Sequence, residues 1–198
     1  MKIIIVGATG TIGKKVTAAL ENDHELVKVG SKSGDVQADI TSSKSIEAMY
    51  KQIGAFDALI CTAGGAHFGP LATMTAADFQ KGLNDKLLGQ VNLVLIGQHH
   101  INAKGSFTLS SGLLSDDPNR NCANLAAVNS AINGFVRGAA IELENGVRLN
   151  AVSPGLVEDS ADLLPAFPGF ALTKMDVVVR AYLKSVLGAQ TGQVYAAV

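Results

Sequence analysis

The sequence predicts a doubly wound α/β fold: a single parallel sheet with helices on both faces. Three observations carry that expectation. The chain opens on Ile3-Ile4-Ile5-Val6, a continuous apolar run closed by Gly7, which suits a parallel strand buried on both sides. Short apolar runs then alternate with segments of helical spacing along the whole chain. A glycine-rich turn joins the first run to the first helical segment.

Taken in order, Thr11 to Leu20 is a helix with Ile12, Val16 and Leu20 on one face. Leu26 to Val29 is a second strand. Ser43 to Ile53 is a helix whose apolar positions are Ile46, Met49, Tyr50 and Ile53, and Phe56 to Cys61 is a buried strand. Thr75 opens a helical region running to about His100, read as one long helix with a short lead-in. Ser106 to Leu109 is a strand. Asn124 to Glu144 is a long helix whose face carries Val128, Ile132, Phe135, Val136, Ala139, Ala140 and Leu143. Val147 to Val152, Asp176 to Leu187 and Gly192 to Ala196 complete the pattern as strand, helix and strand. No linker, charge run or repeat interrupts it, so residues 1–198 are expected to form one domain. The least regular stretch, Leu156 to Thr173, contains Pro165 and Pro168. It is expected beyond the carboxyl edge of the sheet, where ligands bind and where it would shape a substrate pocket.

Composition excludes several classes. Hydrophobic residues make up 47% and charged residues 17%, which suits a large buried core and argues against disorder. A net charge of −1, with scattered Lys and Arg and no interleaved aromatics, gives no footprint for nucleic acid or an anionic membrane. No apolar stretch reaches the roughly 18 residues of a membrane helix. No leader precedes the first strand, so a cytoplasmic location is expected. The two cysteines, Cys61 and Cys122, form neither a zinc spacing nor a disulfide framework, and no metal is expected. Cys61 reads as a buried small hydrophobe.

The turn Gly7-Ala8-Thr9-Gly10-Thr11-Ile12-Gly13 follows a strand and opens a helix. Its glycines allow a tight turn and close backbone approach, and the helix N-terminus offers N–H groups to a pyrophosphate. The spacing is G-x-x-G-x-x-G, and an ordinary glycine-rich turn is the competing reading. The second strand ends Val29-Gly30-Ser31-Lys32-Ser33. An NAD site normally places an acid there for the ribose hydroxyls. Ser31, Lys32 and Ser33 instead offer donors and a positive charge suited to a 2′-phosphate, so NADP(H) is favoured and NAD(H) stays open. The competing reading is a solvated loop.

These residues, with later ones, resemble the short-chain dehydrogenase/reductase family, over essentially the whole chain and with the Rossmann-type fold that implies. Gly7 to Gly13 resembles its glycine motif. Asp39-Ile40 matches the pair that caps the adenine, and Thr62-Ala63-Gly64-Gly65 resembles the N-A-G turn without its asparagine. Ser110-Ser111 ends the strand that holds the family's catalytic serine. Arg148-Leu149-Asn150-Ala151-Val152-Ser153-Pro154-Gly155 is close to the strand and P-G turn flanking the nicotinamide, so Pro154, Gly155 and Val157 are implied cofactor neighbours. Thr191-Gly192-Gln193 matches the entry to the last strand.

The departures fall on the chemistry. The family's Y-x-x-x-K pair is missing: Leu125 stands at the tyrosine position and Asn129 at the lysine position. The family's asparagine in the preceding long helix is matched by Lys86, in Asp85-Lys86-Leu87-Leu88-Gly89. Of the usual four, only Ser111 remains. Reducing a carbonyl needs a positioned acid for the developing alkoxide, and Leu125 cannot serve. Tyr50, Tyr182 and Tyr195 fall near no recognised site segment. Lys86 could act as the acid if partly buried beside the cofactor; alternatively it is a surface lysine or an ion-pair partner of Asp85. Asn129 could still hydrogen-bond the nicotinamide ribose. His67 is a second candidate acid or an exposed loop residue, and His99 and His100 favour a helix C-terminus. Ser111, Lys86 and Asn129 are thus the candidate catalytic residues.

Three functions compete: an NADP(H)-dependent oxidoreductase acting on a small carbonyl or alcohol with altered acid–base residues, a non-catalytic NADP(H)-binding redox sensor or structural partner, and another reaction, such as isomerisation, on the same fold. A homodimer or homotetramer is expected. The family commonly pairs its two long central helices across a two-fold axis, and here they carry apolar residues on more than one face, including Leu87, Val91, Leu95, Ile132 and Phe135.

Overall fold

A computed structural model describes residues 1–198. Seven parallel strands form the sheet: β1 (Lys2–Val6), β2 (Glu25–Gly30), β3 (Val36–Gln37), β4 (Phe56–Cys61), β5 (Ile101–Ser110), β6 (Arg148–Pro154) and, last in the chain, β9 (Val194–Ala197). Their spatial order is β3-β2-β1-β4-β5-β6-β9, and every pairing is parallel. The chain winds outward in one direction from β1 and then in the other from β4, so the switch point lies between these two strands. That is where a doubly wound sheet opens a crevice at its carboxyl edge.

Helices cover both faces. Helices α1 (Thr11–Leu20) and α6 (Met175–Leu187) bury one side, against Ile3, Ile5, Ala58, Ile60 and Val152. Helices α2 (Ser43–Ile53), α4 (Gly89–Gly97) and α5 (Ala123–Ala139) bury the other, against Ile4, Val6, Leu59, Phe107 and Leu149. Successive strand residues therefore feed two separate cores, as a period of two requires. This is why the apolar runs in the sequence are unbroken.

The elements occur where periodicity places them, apart from β5, which starts at Ile101 and not at Ser106, and four further differences. The short β3 gives no apolar run and was not expected. The helical region after Thr75 is interrupted. It starts at α3 (Ala76–Gly82) under a Thr75–Asp78 capping box, widens into a π turn over Leu83–Leu88, and resumes as α4. The helix expected to reach Glu144 stops at Ala139. Leu143 still packs against the core, but from a turn that ends at Asn145 and Gly146, both at positive φ. Finally, the irregular stretch holds a small second sheet, β7 (Leu156–Val157) with β8 (Leu172–Thr173), bracketing a 3-10 segment over Glu158–Ala166. No helix is long and apolar enough to cross a membrane.

Candidate active site

Two cavities open at the carboxyl ends of the strands. The larger, about 440 Å³, lies over the switch point. Gly7, Thr9 and Gly10 line it from the first turn, Ser31, Asp39 and Ile40 from the β2–β3 side, and Thr62, Ala63 and Gly64 from the end of β4. The turn is built for close approach. Gly7 has φ +86°, and a Cβ there would lie 2.8 Å from Thr62 Oγ1. A Cβ on the buried Gly13 would run into the Gly7 carbonyl. Thr62 fixes the turn by donating its hydroxyl hydrogen to the carbonyls of Val6 and Gly7 (3.2 and 3.1 Å).

Helix α1 begins at this cleft with Gly10 as N-cap, without a side-chain cap and without an acid in its first turn. The N–H groups of Thr11, Ile12 and Gly13 and the positive end of the helix dipole are left for an anion. Uncapped donors beside a turn with no room for side chains fit a dinucleotide pyrophosphate. Asp39 is exposed; its carboxylate accepts from the Thr41 N–H (2.9 Å) and hydroxyl (2.7 Å), which hold its pKa below the usual carboxylate value. Of the loop after β2, Ser31 lines the cleft, whereas Lys32 and Ser33 stand exposed outside its wall. Gly65 is also exposed and lines a neighbouring open hollow with Thr41, Lys81 and Asn84.

The smaller cavity, about 190 Å³, is where the candidate catalytic residues meet. Ser111 just beyond β5, Lys86 from the π turn, and Leu125 and Asn129 from α5 all line it, beside Pro154 and Gly155 from the end of β6. Val157 lies nearby, but its side chain is buried in the α1–α6 core and does not line the cavity. Leu113, Leu114, Leu156, Phe167 and Phe170 complete the wall. The last three belong to the irregular stretch expected to shape a pocket.

The polar groups here are poised and unoccupied by one another. Ser111 and Asn129 are buried, and neither Ser111 Oγ nor Asn129 Oδ1 has a hydrogen-bond partner. Lys86 is half-buried and joins none of the chain's ion pairs, so it is neither a surface lysine nor a partner of Asp85. Burial lowers its pKa, while Cys61 and Asp85 pull it the other way. A π turn is a frequent feature of functional sites because it turns a side chain out of helical register; here that side chain is Lys86.

Gln90 ties this turn to the strand, and sequence reasoning missed it. Fully buried on α4, it donates from Nε2 to the Ser110 carbonyl (2.9 Å) and the Lys86 carbonyl (3.2 Å). Its Oε1 accepts the Ser110 N–H at 2.8 Å. The amide thus acts as a short extra strand at the end of β5 and satisfies a carbonyl inside the π turn. A glutamine inside an apolar helical stretch was the signal available.

Two expectations are corrected here. Tyr182 does approach a site segment: its hydroxyl lies 2.5 Å from Ser110 Oγ, which donates in turn to the Cys61 carbonyl. It does so on the opposite face of β5 from Ser111, fully buried, and burial raises its pKa. His67 lines neither cavity; its Nδ1 lies 3.7 Å from the Asp78 carboxylate. Cys61 is buried as expected, with its thiol pushed up to about 12 by desolvation.

Comparison with known proteins agrees with this architecture. Residues 2–196 match the model of a family described as enoyl-(acyl carrier protein) reductase. The crystal structure of the protein lin1944 from Listeria innocua superposes with a TM-score of 0.98 at 44% identity, each chain covering 100% of the other. A small-chain dehydrogenase in complex with NADPH gives a TM-score of 0.88 at 28% identity, covering 99% of this chain and 95% of that one. Among curated proteins, the chain is 24% identical over 178 residues to the 3-oxoacyl-acyl-carrier-protein reductase FabG of Buchnera aphidicola, covering 78% of this chain and 73% of that one. It is 28% identical over 153 residues to the tetrahydroxynaphthalene reductase PfmaG of Pestalotiopsis fici, covering 73% of this chain and 54% of that one. The chain thus spans about half the length of the naphthalene reductases it matches. With a family model matched along nearly its entire length and the family's sheet order and glycine turn in place, this chain belongs to the short-chain dehydrogenase/reductase family.

Proposed function

We propose that the chain, acting as one domain in the cytoplasm, is an NADP(H)-dependent oxidoreductase interconverting a small carbonyl compound and its alcohol, with Lys86 in place of a tyrosine as the proton donor. The observation that carries this reading is the convergence of Lys86, Ser111 and Asn129 on one cavity beside Pro154-Gly155. A bound nicotinamide supplies or accepts the hydride. The Ser111 hydroxyl and the Lys86 ammonium hold the carbonyl oxygen, and Lys86 passes it a proton as negative charge develops. The Asn129 amide meets the ribose, and Leu125 contributes only an apolar wall. NADPH consumption over a panel of carbonyl compounds tests the reading. Lys86→Met and Ser111→Ala should each lower any rate observed, and a rate indifferent to both would refute the assignment.

A pH profile separates Lys86 from other acids. Reduction requires the ammonium form, so the rate should hold at low pH and fall as pH rises through the pKa of Lys86. That pKa is lowered by burial, with Cys61 and Asp85 opposing. The fall should therefore begin below the region where a lysine of ordinary value, 10.5, loses its proton. Oxidation of the alcohol should rise over the same interval. Lys86→Arg should remove this limb in both directions.

Ser31 in the cleft wall, a lysine next to it and no acid at the end of β2 support NADP(H) over NAD(H). The expected preference is at least about tenfold in affinity, equivalent to about 1.4 kcal/mol, and Lys32→Glu should reverse it. Fluorescence titration of both cofactors decides the matter; equal affinities would refute the claim.

The same reading includes a homodimer or homotetramer. Leu88 and Leu95 are 43% and 48% exposed along the π turn and α4, and Gly134 and Gly138 leave open space on α5. Light scattering should show more than one chain per particle at micromolar concentration; a monomer alone would refute it.

A second reading, a non-catalytic NADP(H) sensor, is favoured by one observation: a leucine lines the cavity at the tyrosine position. It predicts tight NADPH binding with no turnover at any pH.

A further inference from the structure

The small cavity is unusual in what its wall contains. Lys86 is its one ionisable side chain, and no carboxylate lines it. Ser111 Oγ and Asn129 Oδ1 are buried there without partners. The remaining side chains, Leu113, Leu114, Leu125, Leu156, Phe167 and Phe170, are almost entirely apolar, and the two phenylalanines pack edge to face at 5.6 Å. Asp85 acts on Lys86 only from beyond ion-pair distance. A half-buried cation with no carboxylate in contact is costly to keep, and a ligand that brings a negative charge reduces that cost. A neutral ketone would leave it in place.

Resting on the oxidoreductase reading above, we propose that this cavity takes small 2-oxo acids with apolar side chains, the substrate carboxylate pairing with Lys86. An ammonium has three donors. In a 2-oxo acid the keto oxygen and one carboxylate oxygen are neighbours, so one ammonium bonds both. The carboxylate thereby anchors the keto oxygen on the group that must protonate it, and the Ser111 hydroxyl supplies a further hydrogen bond. This answers the question raised by Leu125: a carbonyl held on a lysine by its own carboxylate has no need of a tyrosine. The apolar side chain lies toward Leu113, Leu156 and Phe170, and a volume of about 190 Å³ bounds its size. The balance is 2-oxo acid plus NADPH plus a proton giving the 2-hydroxy acid and NADP⁺. Hydride forms the new C–H bond at C2, the keto C=O π bond opens, and its oxygen takes the proton of Lys86, which solvent then replaces.

The test uses the full chain with NADPH and two pairs of compounds: 4-methyl-2-oxopentanoate and phenylpyruvate, each against its methyl ester. The acids should exceed the esters in kcat/KM by at least about tenfold, the smaller end expected for a charge-assisted hydrogen bond. Calorimetry with NADP⁺-loaded protein gives a readout independent of turnover: 4-methyl-2-oxopentanoate, which cannot take a hydride from the oxidised cofactor, should bind, Lys86→Met should weaken it at least about tenfold, and Lys86→Arg should retain most of it. NADPH titration of each protein checks the cofactor site separately. Esters equal to acids, no binding of the oxo acid to NADP⁺-loaded protein at millimolar concentration, or binding indifferent to Lys86→Met would each overturn the proposal. With NADPH still bound, such a result would leave the oxidoreductase reading standing; wild-type protein that fails to bind NADPH would overturn both.

Discussion

Replacing Leu125 by tyrosine and Asn129 by lysine together should raise the reduction of neutral ketones by about 10²-fold or more, the usual worth of a positioned acid. Both positions line the cavity that holds Ser111, four residues apart on α5, so their side chains leave the same face about one turn apart. Leu125 is half-buried, and a phenol in its place would extend into the void of about 190 Å³. Asn129 is 2% exposed, and its Nδ2 would lie 2.8 Å from a Cβ on Gly112, so a lysine there must thread past that glycine. Its ammonium would also face Lys86 across the cavity. Two neighbouring ammonium groups lower each other's pKa, so adding Lys86→Asn should raise the rate further on neutral ketones while removing any preference for oxo acids. NADPH oxidation by wild type, the double and the triple variant measures this. A double variant that binds NADPH and reduces no neutral ketone faster than wild type would refute the placement of Leu125 and Asn129.

Much of this architecture was legible because period and punctuation carry it. Strands buried on both faces appear as the unbroken runs Ile3 to Val6 and Ala58 to Cys61, and Gly7 marks a turn with no room for a side chain. The position of Lys86 was also legible, through its place ahead of Gly89, although nothing in the local sequence announces a π turn. Widening a helix by one residue per turn costs little when the freed carbonyl finds another donor, and here that donor is the Gln90 amide four residues on, held in place by its tertiary bonds to Ser110. The early end of α5 was hidden for a similar reason: Leu143 keeps helical spacing and reaches the core by a turn instead. Tyr182 was invisible because the Ser110–Tyr182 contact spans 72 positions and crosses to the other face of the sheet. Of the loop after β2, the sequence carries charge and residue type, but which side chains form the wall depends on how Gly30 and Gly34 fold it back. That is why Ser31 lines the cleft and Lys32 does not.

Replacing Gln90 by methionine should lower stability by about 3 kcal/mol and disturb the site beyond that loss. The substitution keeps volume and length but removes all three hydrogen bonds. The Ser110 N–H, the Ser110 carbonyl and the Lys86 carbonyl would be left in a buried setting, each at a cost of about 1–3 kcal/mol before relaxation. For a chain of this size, the melting temperature should drop by roughly 10 °C. Positioning is tested at a temperature where the variant is fully folded. If Gln90 sets the distance between the π turn and the end of β5, kcat should fall about tenfold or more with NADPH affinity unchanged, since Gln90 lines neither cavity. Gln90→Glu gives the sharper readout. It keeps an acceptor for the Ser110 N–H, loses the donor to Ser110 and Lys86, and brings a negative charge beside the lysine. That charge stabilises the ammonium and raises its pKa, so the alkaline limb of the reduction profile should move to higher pH. A methionine variant that melts with wild type would remove the stabilising role, and unaltered kcat and pH profiles in both variants would show that the amide only fills and satisfies the core.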